Sequence, residues 1–294
     1  MRVETTKKEH QLQINGHHLT AFEYNTDIDS TPVIFIHGIA NSVGLWEPIQ
    51  VPLVSENYRW FSLSLPGHYP AKWSDEFIAK DLTPDLMAEL MAEAVRQLTG
   101  GKPAILIGYS TGGYASLCIA HHAPELVERM ILLDGFAKGV WGAGLRIAQI
   151  IANLKGIGET VFAPYAKMTT FTLGITRLVY NLVGTDLKAM AKHPKMDEIV
   201  KINWDAVQAG NPMQLYPYFR YMFHTDISDW LPEIETETLI LHGSVDRVII
   251  PQHAEHMDKQ LPNSRLQWID GSGHLPFVER SQLFEQYITD WLRH

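Results

Sequence analysis

Residues 104–113, AILIGYSTGG, decide the fold of this chain, because an apolar run leads directly into a Gly-x-Ser-x-Gly pattern. More apolar residues follow, including Cys118 and Ile119, so the segment predicts a strand, a tight turn and a helix, with Ser110 on the turn. Glycine two residues to either side of the serine leaves room for a turn in which larger side chains would collide. The alternative interpretation of Ser110 is an ordinary helix N-cap.

The same alternation of strand and helix extends through most of the chain. Short apolar runs predict strands that are covered on both faces, and the segments between them have helix length. Before them, alternating polar and apolar residues around Asn15-Gly16 predict a β-hairpin. The hairpin covers 4–14 and 18–24, the other predicted strands are 33–37, 60–65, Ala104–Tyr109, 130–133, 238–241 and 265–269, and the predicted helices are 43–55, 84–98 and Thr111–His122. The pattern predicts an α/β fold with a mostly parallel eight-stranded sheet and helices on both faces.

This alternation stops after Gly135. Residues 136–229 show helical periodicity broken by Gly and Pro, and the order of strand and helix resumes at Glu237. We therefore predict one discontinuous core, 1–135 and 230–294, with 136–229 inserted as a helical cap. The insert holds 10 Lys and Arg against 7 Asp and Glu, so its net charge is +3 and the rest of the chain carries −12.

Composition restricts the classes of function. The net charge of −9 disfavours a nucleic-acid binder, which needs Lys and Arg to neutralise phosphates. The only cysteine, Cys118, has no partner for an intramolecular disulfide. Residues 1–13 are polar and lack the apolar core of a secretory signal, and no long uncharged apolar run is of the kind that spans a membrane. The sequence therefore predicts a cytoplasmic protein.

Two residues near the C-terminus are candidate partners for the serine. A serine hydroxyl needs a base to become a nucleophile, and the base needs a group that orients it. His274 lies in a glycine-rich loop after the last predicted strand, and Asp246 follows the strand before that. All three residues come just after strand ends, where open α/β sheets place their ligands. Asp134 also follows a strand and is the alternative acid.

A site for acyl transfer also needs hydrogen-bond donors for the oxyanion that forms during the reaction. The sequence His37-Gly38-Ile39 follows the predicted strand 33–37. A turn at this point can aim the backbone N–H of Ile39 at the site, opposite the N–H of Thr111. We predict that these two N–H groups form the oxyanion hole.

Together these motifs resemble the α/β-hydrolase superfamily, in the branch with a helical cap after the sixth strand. The resemblance covers nearly the whole core and rests on His37-Gly38 with Trp46 downstream, Leu65-Pro66-Gly67-His68, the glycines and serine of 108–113, His242-Gly243 with Asp246, and Gly273-His274. It implies Ser110 as the nucleophile, His274 as the base and Asp246 as the acid. It also implies Ile39 and Thr111 as the oxyanion donors.

Two positions depart from the family pattern. Ser64 stands where the family commonly has an aspartate, and Tyr69 stands where a second glycine usually follows the histidine, so we expect an altered loop at this strand end. A serine at position 110 also disfavours haloalkane dehalogenases and epoxide hydrolases, which use a carboxylate nucleophile. The Ser-Thr-Gly-Gly sequence at 110–113 is similar to that of bacterial perhydrolases and related esterases.

The sequence thus predicts a serine hydrolase that needs no cofactor or metal and cleaves an ester-type bond of an apolar small molecule. The predicted substrate contacts are His37, Gly38, Trp141 and Tyr218. Hydrolysis of a thioester, a lactone or a carbon-carbon bond is an alternative reaction, and an acyltransferase, a perhydrolase or a ligand-sensing protein without catalysis are alternative functions. The basic, apolar cap also suggests weak contact with an anionic lipid surface, against the simpler interpretation of a solvated basic face.

Overall fold

A computed structural model describes residues 7–294. The strands are β1 (Lys8–Ile14), β2 (His17–Tyr24), β3 (Val33–Ile36), β4 (Trp60–Leu63), β5 (Ala104–Tyr109), β6 (Val127–Leu133), β7 (Glu237–Gly243) and β8 (Ser264–Ile269). The α-helices are α1 (Pro52–Asn57), α2 (Pro84–Thr99), α3 (Thr111–His122), α4 (Ala143–Ala152), α5 (Gly158–Thr169), α6 (Leu173–Val183), α7 (Leu187–Lys192), α8 (Met196–Ala209), α9 (Tyr216–Tyr221), α10 (Pro251–Gln260), α11 (Pro276–Glu279) and α12 (Ser281–Leu292). The predicted start of the hairpin at Glu4 lies outside the described residues.

All eight strands form one sheet in the order β1-β2-β4-β3-β5-β6-β7-β8. The hairpin is antiparallel and β2 pairs antiparallel with β4, whereas every other neighbouring pair is parallel. The predicted α/β fold with a mostly parallel eight-stranded sheet is therefore confirmed. Because the parallel strands run in one direction, the loops after β3, β5, β6, β7 and β8 meet at the same edge of the sheet.

Helices cover both faces of the sheet, as the short apolar strands predict. Along β5, Leu106 belongs to the core cluster that contains α2 and α3. Its neighbours Ile105 and Ile107 belong to the cluster on the other face, with Trp46 and residues of α12. Since successive side chains of a strand point to opposite faces, a strand between two layers must be apolar at every position.

The predicted helix at 43–55 is wrong over most of its length. The chain instead makes a series of turns, with hydrogen bonds from Leu45 N–H to the Ser42 carbonyl and from Glu47 N–H to the Gly44 carbonyl. The only α-helix here is α1, which begins at Pro52. Proline has no N–H and disfavours helical geometry in the preceding residue, so Pro48 and Pro52 divide a segment whose apolar spacing looks helical.

The helices α4–α9 all lie between β6 and β7, within the predicted cap range 136–229. They leave and rejoin the core at a short neck. There the Ile227 N–H donates to the Ala137 carbonyl (3.0 Å) and the Gly139 N–H donates to the Thr225 carbonyl (2.9 Å). We call α4–α9 the inserted helices. In the part of the chain that the structure describes, no helix combines the length and the apolar character needed to cross a membrane.

Helix α3 lies unusually close to the sheet at its second residue, Gly112. A Cβ atom built there would lie 2.2 Å from the carbonyl oxygen of Ile36 on β3. Gly174 is the second residue of α6, and a Cβ there meets nothing closer than the Thr172 Oγ1, at 3.8 Å. Two glycines at equivalent helix positions therefore differ in the space around them.

We predict opposite effects of alanine at these two positions. Gly112→Ala should lower the free energy of unfolding by about 3 kcal/mol or more, because backbone must move to admit the methyl group. Gly174→Ala should raise it by up to about 1 kcal/mol, because alanine favours helix and meets no obstacle. Urea denaturation of both variants measures the difference, and equal effects would contradict the packing argument.

Candidate active site

Ser110 lies on the turn between β5 and α3, with φ 52° and ψ −114°. The turn is held by a hydrogen bond from the Ser110 N–H to the Leu133 carbonyl at the end of β6 (2.8 Å). It also needs glycine at 108, because a Cβ there would lie 2.3 Å from the Gly112 carbonyl oxygen. Ser110 occupies the N-cap position of α3, but its side chain caps no helix N–H. The hydroxyl is thus available to other groups.

The hydroxyl of Ser110 meets the two predicted partners in a continuous chain. Its Oγ lies 3.1 Å from Nε2 of His274. The other ring nitrogen, Nδ1, lies 2.7 Å from Oδ2 of Asp246. All three side chains are buried. The loops after β5, β7 and β8 therefore bring Ser110, Asp246 and His274 into hydrogen-bond contact.

The alternative acid, Asp134, occupies a different position. Its Oδ1 accepts the Gly243 N–H (2.8 Å), and its Oδ2 has no hydrogen-bond partner among residues 7–294. Burial, and next the nearby charge of Asp246, raise the pKa of Asp134 well above its usual value. Asp246, by contrast, accepts the N–H groups of Val248 and Ile249 at Oδ1 in addition to the histidine. The geometry thus favours Asp246 over Asp134 as the carboxylate that orients His274.

One predicted oxyanion donor, Thr111, follows the serine directly, and the other, Ile39, lines the same cavity as the serine. Thr111 is the first residue of α3, so its N–H has no acceptor within the helix. Ile39 follows the end of β3 and, like Ser110, lines the cavity described below. Neither N–H donates to another backbone carbonyl among residues 7–294. The two groups are therefore able to donate to a substrate oxygen.

Two buried histidines hold the loop that carries Ile39. His37 donates from Nδ1 to the Gly38 carbonyl (2.8 Å) and accepts the Leu65 N–H at Nε2 (3.1 Å). His68 accepts the N–H of Ala40 at Nε2 (3.1 Å). Burial lowers the pKa of His37 to about 4 and that of His68 well below its usual value, so both rings stay neutral at physiological pH. A neutral ring is what each pattern requires, because one nitrogen must accept.

A cavity of about 70 Å³ contains Ser110 and His274. Beyond it, a second cavity of about 170 Å³ is lined almost entirely by apolar side chains of the inserted helices. Leu145, Val179, Tyr180 and Val183 line both cavities. Tyr69 forms part of the wall of a third, more polar cavity of about 380 Å³. Tyr69, one of the departures from the family pattern, thus faces a cavity.

The structure does not bring all of the predicted substrate contacts to these cavities. Gly38 lines the cavity with Ser110, but His37, Trp141 and Tyr218 line none of the three. Trp141 is buried against Phe219 within the inserted helices, and Tyr218 donates its hydroxyl proton to the Pro66 carbonyl (2.9 Å). These large side chains fill the interior because burying their area stabilises the fold.

Tyr180 is the main residue at the site that the sequence does not reveal. It is partly buried between the first two cavities, and its hydroxyl accepts a hydrogen bond from Asn41 Nδ2 (2.9 Å). Helical periodicity identifies the apolar stripe of α6 but does not tell which part of the stripe meets the sheet edge. Only the packing of the inserted helices on the core brings Tyr180 to the site.

One group of described side chains has the spacing of a metal site: Asp134, His242 and Asp246 offer ligand atoms within 4.8 Å of one another. However, Asp246 already accepts hydrogen bonds at both oxygens, and Nε2 of His242 pairs with the Ile249 carbonyl (2.9 Å). A metal bound through Oδ2 of Asp246 would share that oxygen with His274. The group therefore fits a hydrogen-bonded cluster better than a metal site.

Comparison with known proteins agrees with the fold. A family model described as "alpha/beta hydrolase fold" matches residues 31–281. A pimeloyl-acyl-carrier-protein methyl ester esterase from Photobacterium profundum is 24% identical over 285 residues, which cover 93% of this chain and 99% of the relative. The chain belongs to the α/β-hydrolase fold family.

Solved structures share the fold over nearly the whole chain. An esterase from Exiguobacterium antarcticum superposes with a TM-score of 0.75 at 19% identity, covering 97% of this chain and 99% of that one. A 2-hydroxy-6-oxo-6-phenylhexa-2,4-dienoate hydrolase from a Rhodococcus strain superposes with a TM-score of 0.77 at 17% identity, covering 99% and 100%. At these identities the likeness concerns the fold.

Acidification should destabilise the fold through His37. The unfolded ring binds a proton below about pH 6.5, whereas the buried ring stays neutral down to about pH 4. The unfolding free energy therefore falls as the pH drops from about 6.5, by roughly 2 kcal/mol at about pH 5 for this histidine. His37→Gln should lower stability at neutral pH but reduce this further loss, as measured by urea denaturation at the two pH values.

The control is His122→Gln, because the ring of His122 is exposed at the end of α3 and meets water in both states. This variant should lose as much stability on acidification as the wild type. The argument fails if His37→Gln and His122→Gln show the same pH dependence.

Proposed function

We propose that this chain is a serine hydrolase that cleaves a carboxylic ester of a small apolar substrate through an acyl-enzyme. The observation that carries the proposal is the chain of hydrogen bonds from Ser110 through His274 to Asp246, inside a cavity that shares its wall with an apolar one. Membership of the α/β-hydrolase fold family, with esterases among the relatives, supports the class of reaction.

In the first half of the reaction, the Oγ of Ser110 attacks the carbonyl carbon of the ester and passes its proton to Nε2 of His274. Asp246 holds the ring at Nδ1 and stabilises its positive charge. The carbonyl oxygen becomes an oxyanion that the N–H groups of Ile39 and Thr111 stabilise, each by roughly 3 kcal/mol in comparable enzymes. The bond to the alcohol then breaks, and the alcohol leaves with the proton from His274.

In the second half, water replaces the alcohol. His274 takes a proton from water at Nε2 while the water oxygen attacks the carbonyl carbon of the acyl group on Ser110. The same two N–H groups stabilise the second oxyanion. When the bond to Oγ breaks, the proton returns from His274 to Ser110 and the carboxylic acid leaves. The protein is restored, and no group besides water is consumed.

The apolar part of the substrate occupies the cavity of about 170 Å³ within the inserted helices. An apolar cavity of about 150 Å³ in another protein holds benzene, so this one has room for a group of about six carbons. Its lining is apolar apart from a few hydroxyl and amide groups, including Thr176 and Asn203. Such a lining favours a hydrocarbon chain or ring over a charged group.

We predict that p-nitrophenyl esters from acetate to dodecanoate are hydrolysed fastest near hexanoate, since longer chains exceed the apolar cavity. Ser110→Ala should lower kcat by at least about a thousandfold and abolish labelling by a fluorophosphonate. Ala166→Leu, which narrows only the apolar cavity, should shift the optimum to shorter chains. Hydrolysis and labelling at the wild-type level in Ser110→Ala would rule out the proposal.

The same assay separates the two candidate acids. Asp246→Asn should lower kcat by about ten-thousandfold, as loss of the carboxylate does in another serine hydrolase. Asp134→Asn is the matched control, because the amide resembles the protonated carboxyl in shape and asparagine tolerates the positive φ of 47° at this position. It should keep kcat within about threefold. The reverse result would assign the role to Asp134.

We also propose that the inserted helices contact an anionic lipid surface. Among residues 7–294, 11 of the 15 exposed large apolar side chains belong to 136–229. The outer sides of α4 and α6 form what we call the cap face, made of Ile147, Ile150, Leu178 and Leu182, each more than half exposed. Two of these residues, Ile147 and Leu182, also line the apolar cavity, so the face surrounds a route for an apolar substrate.

Charge favours an anionic lipid surface as the partner of the inserted helices. Lys155 follows the exposed Leu154 after α4, and Lys167 precedes the exposed Met168 in α5. Neither lysine forms a salt bridge among the described residues. Exposed apolar residues beside lysines are typical of helices that lie on anionic membranes.

We predict that the protein sediments with phosphatidylcholine vesicles only when they contain phosphatidylglycerol. The double variant Ile150→Asp with Leu178→Asp should weaken this binding by at least about tenfold, because two apolar side chains no longer leave water. The control is Ile78→Asp, which alters a similarly exposed side chain outside the insert. This variant should bind the vesicles as the wild type does. Binding that does not depend on phosphatidylglycerol, or self-association through the cap face without vesicle binding, would contradict the proposal.

A further inference from the structure

Glu279 is a buried glutamate, 3% exposed, at the end of α11, five residues after His274. Its carboxylate accepts four backbone N–H groups from two separate parts of the chain. Two of them flank His274: the N–H of Gly273 donates to Oε2 and that of Leu275 donates to Oε1, both at 3.1 Å.

The other two N–H groups come from the connection between α6 and α7, within the inserted helices. Thr185 and Asp186 donate to Oε2 of Glu279 at 3.1 Å and 2.7 Å. The same connection also touches the loops around it. A Cβ at Gly273 would lie 2.3 Å from Thr185 Oγ1, and Asp186 accepts a hydrogen bond from Arg280 (2.8 Å).

A carboxylate suits this position because all four neighbouring groups are donors. An ionised carboxylate accepts hydrogen bonds and donates none, and its bonds to N–H groups are stronger than those of a neutral acceptor. No Lys, Arg or His side chain forms a salt bridge with Glu279 in the part of the chain described. The four N–H groups thus replace the water that the carboxylate loses on burial.

We propose that Glu279 is a positioning residue, which fixes the ring of His274 against Ser110 and ties that position to the inserted helices. Because it binds the N–H on both sides of His274, it restricts the backbone from which the ring projects. Because it also binds Thr185 and Asp186, a movement of the inserted helices changes the loop of the base. The inference rests on the proposed function, in which His274 is the base.

The arrangement makes the reaction depend on the state of the cap. When the inserted helices close over the substrate, all four N–H groups reach the carboxylate and the histidine is held in place. If the connection between α6 and α7 moves away, Glu279 loses two donors and releases the N–H groups on both sides of His274 as well. A displacement of a reacting group by about 1 Å can cost about a hundredfold in rate.

The test is Glu279→Gln, which keeps the shape of the side chain but points an NH₂ group at N–H donors. We expect kcat for a p-nitrophenyl ester and the rate of fluorophosphonate labelling of Ser110 to fall by about a hundredfold, with KM changed by less than about threefold. The matched control is Glu23→Gln, because Glu23 is a buried glutamate of β2, 2% exposed, far along the chain from the site. This variant should lose stability, but at temperatures well below its melting temperature it should be labelled at the wild-type rate.

Hydrogen exchange provides a readout that does not depend on catalysis. In the wild type, the amides of Gly273, Leu275, Thr185 and Asp186 should open together, with one common free energy, because they share one acceptor. In Glu279→Gln they should lose protection together, while Glu23→Gln leaves them unchanged. If Glu279→Gln does not fold, the wild-type exchange alone decides, and separate opening of the two pairs overturns the proposal.

The outcomes also separate this inference from the proposed function. Failure of the wild type to hydrolyse esters or react with fluorophosphonate would refute the proposed function itself. Wild-type activity together with an unchanged Glu279→Gln, or with equal losses in Glu279→Gln and Glu23→Gln, would refute only the positioning role. A selective loss in Glu279→Gln with unchanged KM supports it.

Discussion

The close approach of α3 to the ends of β3 and β5 is the constraint on which the rest of the structure depends. Side chains at Gly108 or Gly112 would overlap carbonyl groups of the neighbouring backbone, so the turn exists only because those atoms are absent. The turn holds Ser110 outside helical geometry and directs its hydroxyl away from the helix. The parallel sheet then supplies the other groups, because the loops after β7 and β8 end at the same edge and carry Asp246 and His274 to it.

Buried polar groups around this point are satisfied in three different ways. Asp246 and Glu279 accept several backbone N–H groups. Asp134 has one such donor and favours its protonated form, so two neighbouring carboxyl groups need not both carry charge. His37 remains neutral because burial removes the water that its charged form requires. These choices limit the number of charges inside the protein, although the chain outside the insert carries −12 overall.

Most of the fold and the central residues of the site were predictable because they depend on local pattern and chain order. Strands covered on both faces must be apolar, as β5 is, and Ser110, Asp246 and His274 each come after the end of a strand. The missing parts depend on packing between distant segments. The segment 43–55 has the apolar spacing of a helix, but its prolines break it into turns. For Trp141 and Tyr218, the sequence does not tell whether the aromatic ring fills the interior or faces a substrate. The role of Glu279 was also not predictable from the sequence, because two of its hydrogen-bond donors come from the insert, far from it along the chain.

The neck at Ala137 and Ile227 is the place where the chain passes from the core to the insert and back. Because the incoming and outgoing segments pair with each other, the chain enters and leaves the insert at one place on the core. Strands β6 and β7 stay neighbours in register on the core side of this junction. Replacement of the insert would therefore leave the strand order of the core intact, but it would remove the two hydrogen bonds that Thr185 and Asp186 donate to Glu279.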